Sequence, residues 1–151
     1  MTSRIVLVHG VLNARTWLWP MAARLRGQGF RVSLFGYSSL WEGPGGAVPR
    51  LIETIRAVRA DALLGHSLGG LLALEAVQQV PDLPVRRVVC LGSPLRGSET
   101  ARRVAARAWA RPFLGRSAKL LQTGMADWRG NAEVGVVAGD APRVAGCFFA
   151  H

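Results

Sequence analysis

One serine stands between glycines in Gly65-His66-Ser67-Leu68-Gly69-Gly70. An apolar run, Ala62 to Leu64, precedes it, and Leu71-Leu72-Ala73-Leu74-Glu75-Ala76-Val77 follows as a strong helix former. The local reading is strand, sharp turn, helix, with Ser67 at the turn. Such a turn forces the serine into a strained backbone conformation and lifts its hydroxyl clear of the sheet edge. The chemistry this suits is nucleophilic attack on an acyl carbon. Small residues two before (Gly65) and two after (Gly69) are required because a side chain there would collide with the neighbouring backbone. The following helix aims its N-terminal amides, that of Leu68 among them, at the place where an oxyanion would form. A G-x-S-x-G pentapeptide alone recurs by chance, and its bland reading is a glycine-rich turn. The strand-to-helix setting favours the nucleophile.

A second feature is His9-Gly10-Val11, at the carboxyl end of the run Arg4 to Val8. Ligands of a parallel sheet gather at the carboxyl ends of its strands. If the first and third strands are neighbours, the amide of Val11 can point at the same spot as the amide of Leu68. Two backbone donors beside a serine hydroxyl make an oxyanion hole, with Gly10 letting the loop pass close to a substrate. The alternative for His9-Gly10 is an ordinary strand-ending turn.

The elements that must position these residues follow from periodicity. Arg4 to Val8 is continuously apolar, as in a strand buried on both faces of a parallel sheet. A helix is expected from Thr16, with Thr16 as a possible N-cap, Pro20 in the first turn, and Gly27 and Gly29 at its end. Phe30 to Phe35 reads as the second strand and Tyr37 to Gly46 as a loop. Val48, Leu51, Ile52, Ile55 and Val58 form a helical stripe. Asp61 to Leu64 is the third strand, Leu68 to Val80 the helix after the turn, and Arg87 to Leu91 the fourth strand. Helices are expected over Ser98 to Arg111 and Arg116 to Gln122, then a fifth strand over Val134 to Ala138, with Asp140 just past it. Alternating strand and helix with apolar strands predicts an α/β fold, a doubly wound, mainly parallel sheet.

At this point the residues resemble a known family. His9-Gly10, Trp17 and Gly65-His66-Ser67-Leu68-Gly69-Gly70 look like those of bacterial lipases and esterases of the α/β-hydrolase fold. Gly92-Ser93-Pro94-Leu95-Arg96-Gly97-Ser98 is similar to the stretch after the next strand in the same enzymes. The resemblance covers nearly the whole chain, and its turn motif is specific to the superfamily but not to a substrate. It implies a serine hydrolase of carboxylic esters or lipids, with Ser67 as nucleophile and Val11 and Leu68 as oxyanion donors. His66 resembles the structural residue before the nucleophile. No cofactor or metal is implied.

Triad members of this family follow the order serine, acid, histidine. Asp140 is the one carboxylate near a suitable strand end, as triad acid or as a turn or cap residue. His151, the last residue, is the remaining candidate base. No further strand and helix follow the fifth strand, so the resemblance implies a chain lacking its C-terminal portion. An unassisted serine hydroxyl is a poor nucleophile at neutral pH. The 151 residues alone are therefore expected to hydrolyse an activated ester at a rate barely dependent on Ser67. Two alternatives remain: a non-catalytic member that binds an acyl ligand or a partner, and an acyltransferase on the same site. The segment 96–122 is expected to cover the pocket mouth as a helical cap. Its arginines among apolar residues allow contact with a lipid surface. Trp17, Trp19, Trp41 and Trp109 either line an acyl pocket or pack the core.

The totals narrow the remaining classes. A chain of 151 residues suits one domain, and half its residues are apolar, which fits a globular protein and excludes a disordered one. No run approaches a membrane span. Ile5 to Val8 is too short for a signal-peptide core, which makes a cytoplasmic location the expectation. Cys90 and Cys147 do not suggest a disulfide framework. The net charge of +10 rests on eighteen arginines and one lysine spread along the chain. With no basic motif of a nucleic-acid module among them, nucleic acid is not an expected partner. The glycine patterns of dinucleotide folds and phosphate-binding loops are missing, as is zinc-ligand spacing.

Overall fold

Every residue of the first strand is apolar after Arg4 because both of its faces are covered. In the computed structural model, which describes residues 2–10, 15–38, 41–95, 120 and 128–137, β1 (Arg4–Val8) lies inside a five-stranded sheet. Its neighbours are β2 (Arg31–Phe35) and β3 (Ala62–His66), followed outward by β4 (Arg87–Leu91) and β5 (Glu133–Val137). The order is β2-β1-β3-β4-β5 and every pairing is parallel. The chain therefore winds outward from β1 in both directions, as the alternation predicts, and β1 and β3 are indeed neighbours.

Side chains alternate across β1 and divide the core in two. Ile5 and Leu7 join Leu18, Ala22 and Val32 on the face covered by α1 (Trp19–Gly27). Val6 and Val8 join Phe35, Leu63 and Val88 on the other face, under α2 (Gly43–Val58) and α3 (Leu68–Gln79). Helix α3 is buried nearly all round, from Leu68 through Val77 except Glu75. That explains its lack of a polar stripe. Leu120 is helical and packs against this larger cluster. Strand β5 is different: it is the outermost on its side among the described residues, and Val136 and Val137 are exposed.

Several boundaries differ from the expectations. Thr16 does not cap a helix: Arg15–Leu18 forms a 3-10 turn, and α1 starts at Trp19 with no side-chain cap. Pro20 sits in its first turn, where a missing N–H is harmless. Helix α2 begins at Gly43, inside the expected loop, and carries Pro49 within it. Burial of Ala47, Val48, Leu51, Ile52 and Ile55 holds this glycine- and proline-rich start in helical form. Strand β3 runs two residues further than expected because Gly65 pairs with Val8 and Cys90, and His66 with Leu91. Asp61 lies just before it, its carboxylate accepting the Arg4 amide at 3.0 Å. Strand β5 starts at Glu133, one residue earlier than expected, and Ala138 lies outside the described residues. The expected cap, 96–122, lies outside the described residues apart from Leu120.

Candidate active site

Strand β3 ends at His66 and α3 begins at Leu68, which leaves one residue to reverse the chain direction. That residue is Ser67, with φ 53° and ψ −119°. Only glycine adopts such a conformation without strain. Two backbone hydrogen bonds hold it: the Ser67 N–H donates to the Leu91 carbonyl at 2.8 Å, and the Ser67 carbonyl accepts from the Gly70 N–H at 3.1 Å. The serine therefore stands at the carboxyl end of the sheet's central strand.

The glycines around it are steric necessities. A Cβ on Gly65 would run into the backbone of Gly69 and Gly70. One on Gly69 would strike the carbonyls of Val8 and His9, the latter at 2.6 Å. Helix α3 thus starts in contact with the end of β1. Gly70 has a reason that spacing did not disclose, since a Cβ there would hit the side chain of Ser93 beyond β4. Gly10 lies over the serine itself: a Cβ on it would come within 3.0 Å of Ser67 Cβ and 3.1 Å of the His66 carbonyl. Leu68 is the first residue of α3, and an amide at that position has no acceptor within its own helix. Its side chain is fully buried.

His9 is buried at 1% exposure and its two ring nitrogens have separate partners. Nε2 accepts from the Tyr37 N–H at 3.3 Å, so the proton sits on Nδ1, which donates to the Gly10 carbonyl at 2.8 Å. The Tyr37 hydroxyl donates to the His9 carbonyl at 3.0 Å, and the two rings stack with centroids 4.4 Å apart. Burial pushes the His9 pKa below the usual histidine value. The hydrogen bond to the Gly10 carbonyl opposes that shift, and nearby His66 adds to it. Burial also lowers His66 and raises the pKa of Tyr37, with the Glu42 charge adding to the latter. The thiol of Cys90, a free buried cysteine, is pushed up by burial as well.

Ser67, Leu68, His9 and Gly10 therefore meet at one edge of the sheet. Val11, Asp140 and His151, with Trp109 and Cys147, lie outside the described residues. Trp17, Trp19 and Trp41 are exposed and pack no core. Tyr37 escaped the sequence reading, because its partner is 28 positions away and no spacing pattern links them. Among the described residues, no three of His, Cys, Asp and Glu are placed to hold a metal ion. No helix among them is long and apolar enough to cross a membrane.

Solved structures share this architecture. An extracellular alpha/beta-hydrolase from a Paenibacillus species matches 72% of this chain at 25% identity with a TM-score of 0.56. Paleococcus ferrophilus monoacylglycerol lipase matches 71% at 23% identity and 0.57. Polyneuridine aldehyde esterase matches 75% at 19% identity and 0.55. The matches span 48%, 49% and 46% of those proteins, so the chain aligns with about half the length of each. No curated protein matches the sequence. The model of the alpha/beta hydrolase family matches residues 5–151, and the chain belongs to that family.

Proposed function

We propose that the chain carries the nucleophile half of a serine hydrolase acting on carboxylic esters. The observation that supports this best is the strained Ser67 at the end of the central strand, with Gly10 packed over it and the N-terminus of α3 beside it. In the reaction the Ser67 hydroxyl oxygen attacks the ester carbonyl carbon while a base takes its proton. The carbonyl oxygen becomes an oxyanion that accepts from the amides of Leu68 and Val11, and each such donor contributes about 10²- to 10³-fold in rate. Collapse of this intermediate breaks the bond to the alkoxy oxygen, and the alcohol leaves with the proton the base returns. Water then attacks the acyl-Ser67 ester in the same way and releases a carboxylic acid. Asp140 and His151 are the acid and base this chain itself offers.

Ester chemistry is supported by the company the fold keeps, a monoacylglycerol lipase and an esterase among its structural neighbours. The test is hydrolysis of p-nitrophenyl butyrate by wild type and Ser67→Ala. It is made on the 151 residues and on the same chain extended through a further strand and a histidine-bearing loop. In the extended chain, Ser67→Ala should lower kcat by about 10⁴-fold or more. Equal turnover without the serine would refute the mechanism. A large Ser67-dependent rate in the 151 residues would assign the triad to Asp140 and His151.

A further inference from the structure

We propose that Tyr37 is a positioning residue for the loop after β1, holding its backbone in a donor-ready arrangement before substrate arrives. The inference deepens the hydrolase reading and rests on it, since it assigns that loop to the oxyanion. Two successive carbonyls follow β1, those of His9 and Gly10, and each is held by one partner. The Tyr37 hydroxyl holds the first at 3.0 Å. The His9 Nδ1–H holds the second at 2.8 Å, in the tautomer that the Tyr37 amide imposes from the other side of the ring. A trans peptide points its N–H opposite to its carbonyl. Holding the His9 carbonyl therefore sets the direction of the Gly10 amide, and the second bond holds the carbonyl of the same residue, which lies over Ser67.

Tyr37 is in turn held by α2. The Glu42 carboxylate accepts from the Ser38 N–H at 3.3 Å and pairs with Arg50 at 2.7 Å. Arg50 also donates to the Gly36 carbonyl at 3.2 Å and lies 5.6 Å from the centre of the Phe35 ring. The backbone on both sides of Tyr37 is thereby fixed to Arg50 of α2 and to Glu42, the residue that caps its start. Apolar packing alone would need neither the hydroxyl nor its particular acceptor. The rings of Phe35 and His9 would accept a phenylalanine equally well. Among the described residues, the acceptor of this hydroxyl is a backbone carbonyl, which points to control of that peptide plane.

The decisive variant is Tyr37→Phe, which keeps the stack and the backbone amide and removes one hydrogen bond. Amide relaxation and histidine ring nitrogen shifts, measured by NMR on the 151-residue chain, read the loop without any need for turnover. Wild type should show His9 in the Nδ1–H tautomer and Gly10 as ordered as β1. In Tyr37→Phe the tautomer should persist while the Gly10 amide loses order, with Gly70 unchanged. Ile55→Val, a core change away from the loop, should leave Gly10 as in wild type. Where p-nitrophenyl butyrate turnover depends on Ser67, Tyr37→Phe should lower kcat about tenfold with KM within about twofold. An unaltered Gly10 amide, or an unaltered kcat in that setting, overturns the proposal. If Ser67→Ala hydrolyses the ester as fast as wild type in the extended chain, the hydrolase reading fails, and the Gly10 relaxation alone decides the role of Tyr37.

Discussion

Replacing Ser67 with glycine should make the protein more stable, and replacing it with alanine should not. At φ 53° and ψ −119° the serine occupies a region open to glycine but not to residues bearing a Cβ. A residue held there costs of order 1–3 kcal/mol. Glycine removes that strain but loses more freedom on folding, which returns about 0.4–1 kcal/mol to the unfolded state. The net gain for Ser67→Gly is then up to about 2.6 kcal/mol, or up to roughly 10 °C in Tm at about 2–4 °C per kcal/mol for a chain of this size. Alanine keeps the Cβ and the strain, so Ser67→Ala should melt close to wild type. Between the glycine and alanine variants no hydrogen bond of the serine hydroxyl enters, because both lack it. Thermal unfolding of the three proteins side by side is sufficient. A glycine variant no more stable than the alanine variant would falsify the claim that strain is stored at this residue.

Glycine-to-alanine changes should separate by location. Gly69→Ala drives a Cβ into the Val8 and His9 carbonyls and should cost about 3 kcal/mol or more, read as a fall in the urea midpoint. Gly45→Ala, on α2 with open space around it, should be neutral or stabilise by up to about 1 kcal/mol. Acid should weaken the fold through His9 and His66, both held below the ordinary value of 6.5 by burial. As pH falls through that value the unfolded chain binds protons that these folded histidines refuse. Stability should therefore be flat above pH 7 and decline below about 6.5. Urea midpoints at pH 7.5, 6.5 and 5.5 test this, and a midpoint unchanged at pH 5.5 would contradict it.

The turn at Ser67 was legible because its causes are local. A strand, a helix and the glycines that let them meet lie within a dozen residues. The sheet was legible because a strand covered on both faces must be apolar, and β1 is from Ile5 to Val8. What stayed hidden depends on partners distant in the chain. Five of the first seven residues of α2 are glycine or proline, so local propensity argues for a loop there. The decision belongs to the packing of Ala47, Val48 and Leu51 against the sheet. Thr16 has the right chemistry for an N-cap, yet the 3-10 turn places it within the turn and not at a helix start. The tryptophans fail for a related reason. Indoles are usually packed, but Trp17 and Trp19 flank Leu18, and of the three only Leu18 faces the core.

The same contrast explains how a strained residue can sit at the centre of the sheet. Strain of a few kcal/mol persists only where the surroundings over-determine the conformation. Ser67 is tied to β4 by its own amide, and its carbonyl closes the first turn of α3. Beyond it, Leu68, Leu71, Leu72 and Leu74 are essentially fully buried. Each such side chain contributes about 1.5–3 kcal/mol relative to an exposed one. Relaxing the turn would require α3 to move, and Gly69 and Gly70 have no room to let it, pressed as they are against the end of β1 and against Ser93. The strain is thus offset many times over by a helix that cannot shift without losing its burial. The glycine contacts that seat the helix are the ones that also keep Gly10 over the serine. A mutation that unseats α3 should therefore lose the site and the stability together, whereas Tyr37→Phe should disturb the site and leave the helix in place.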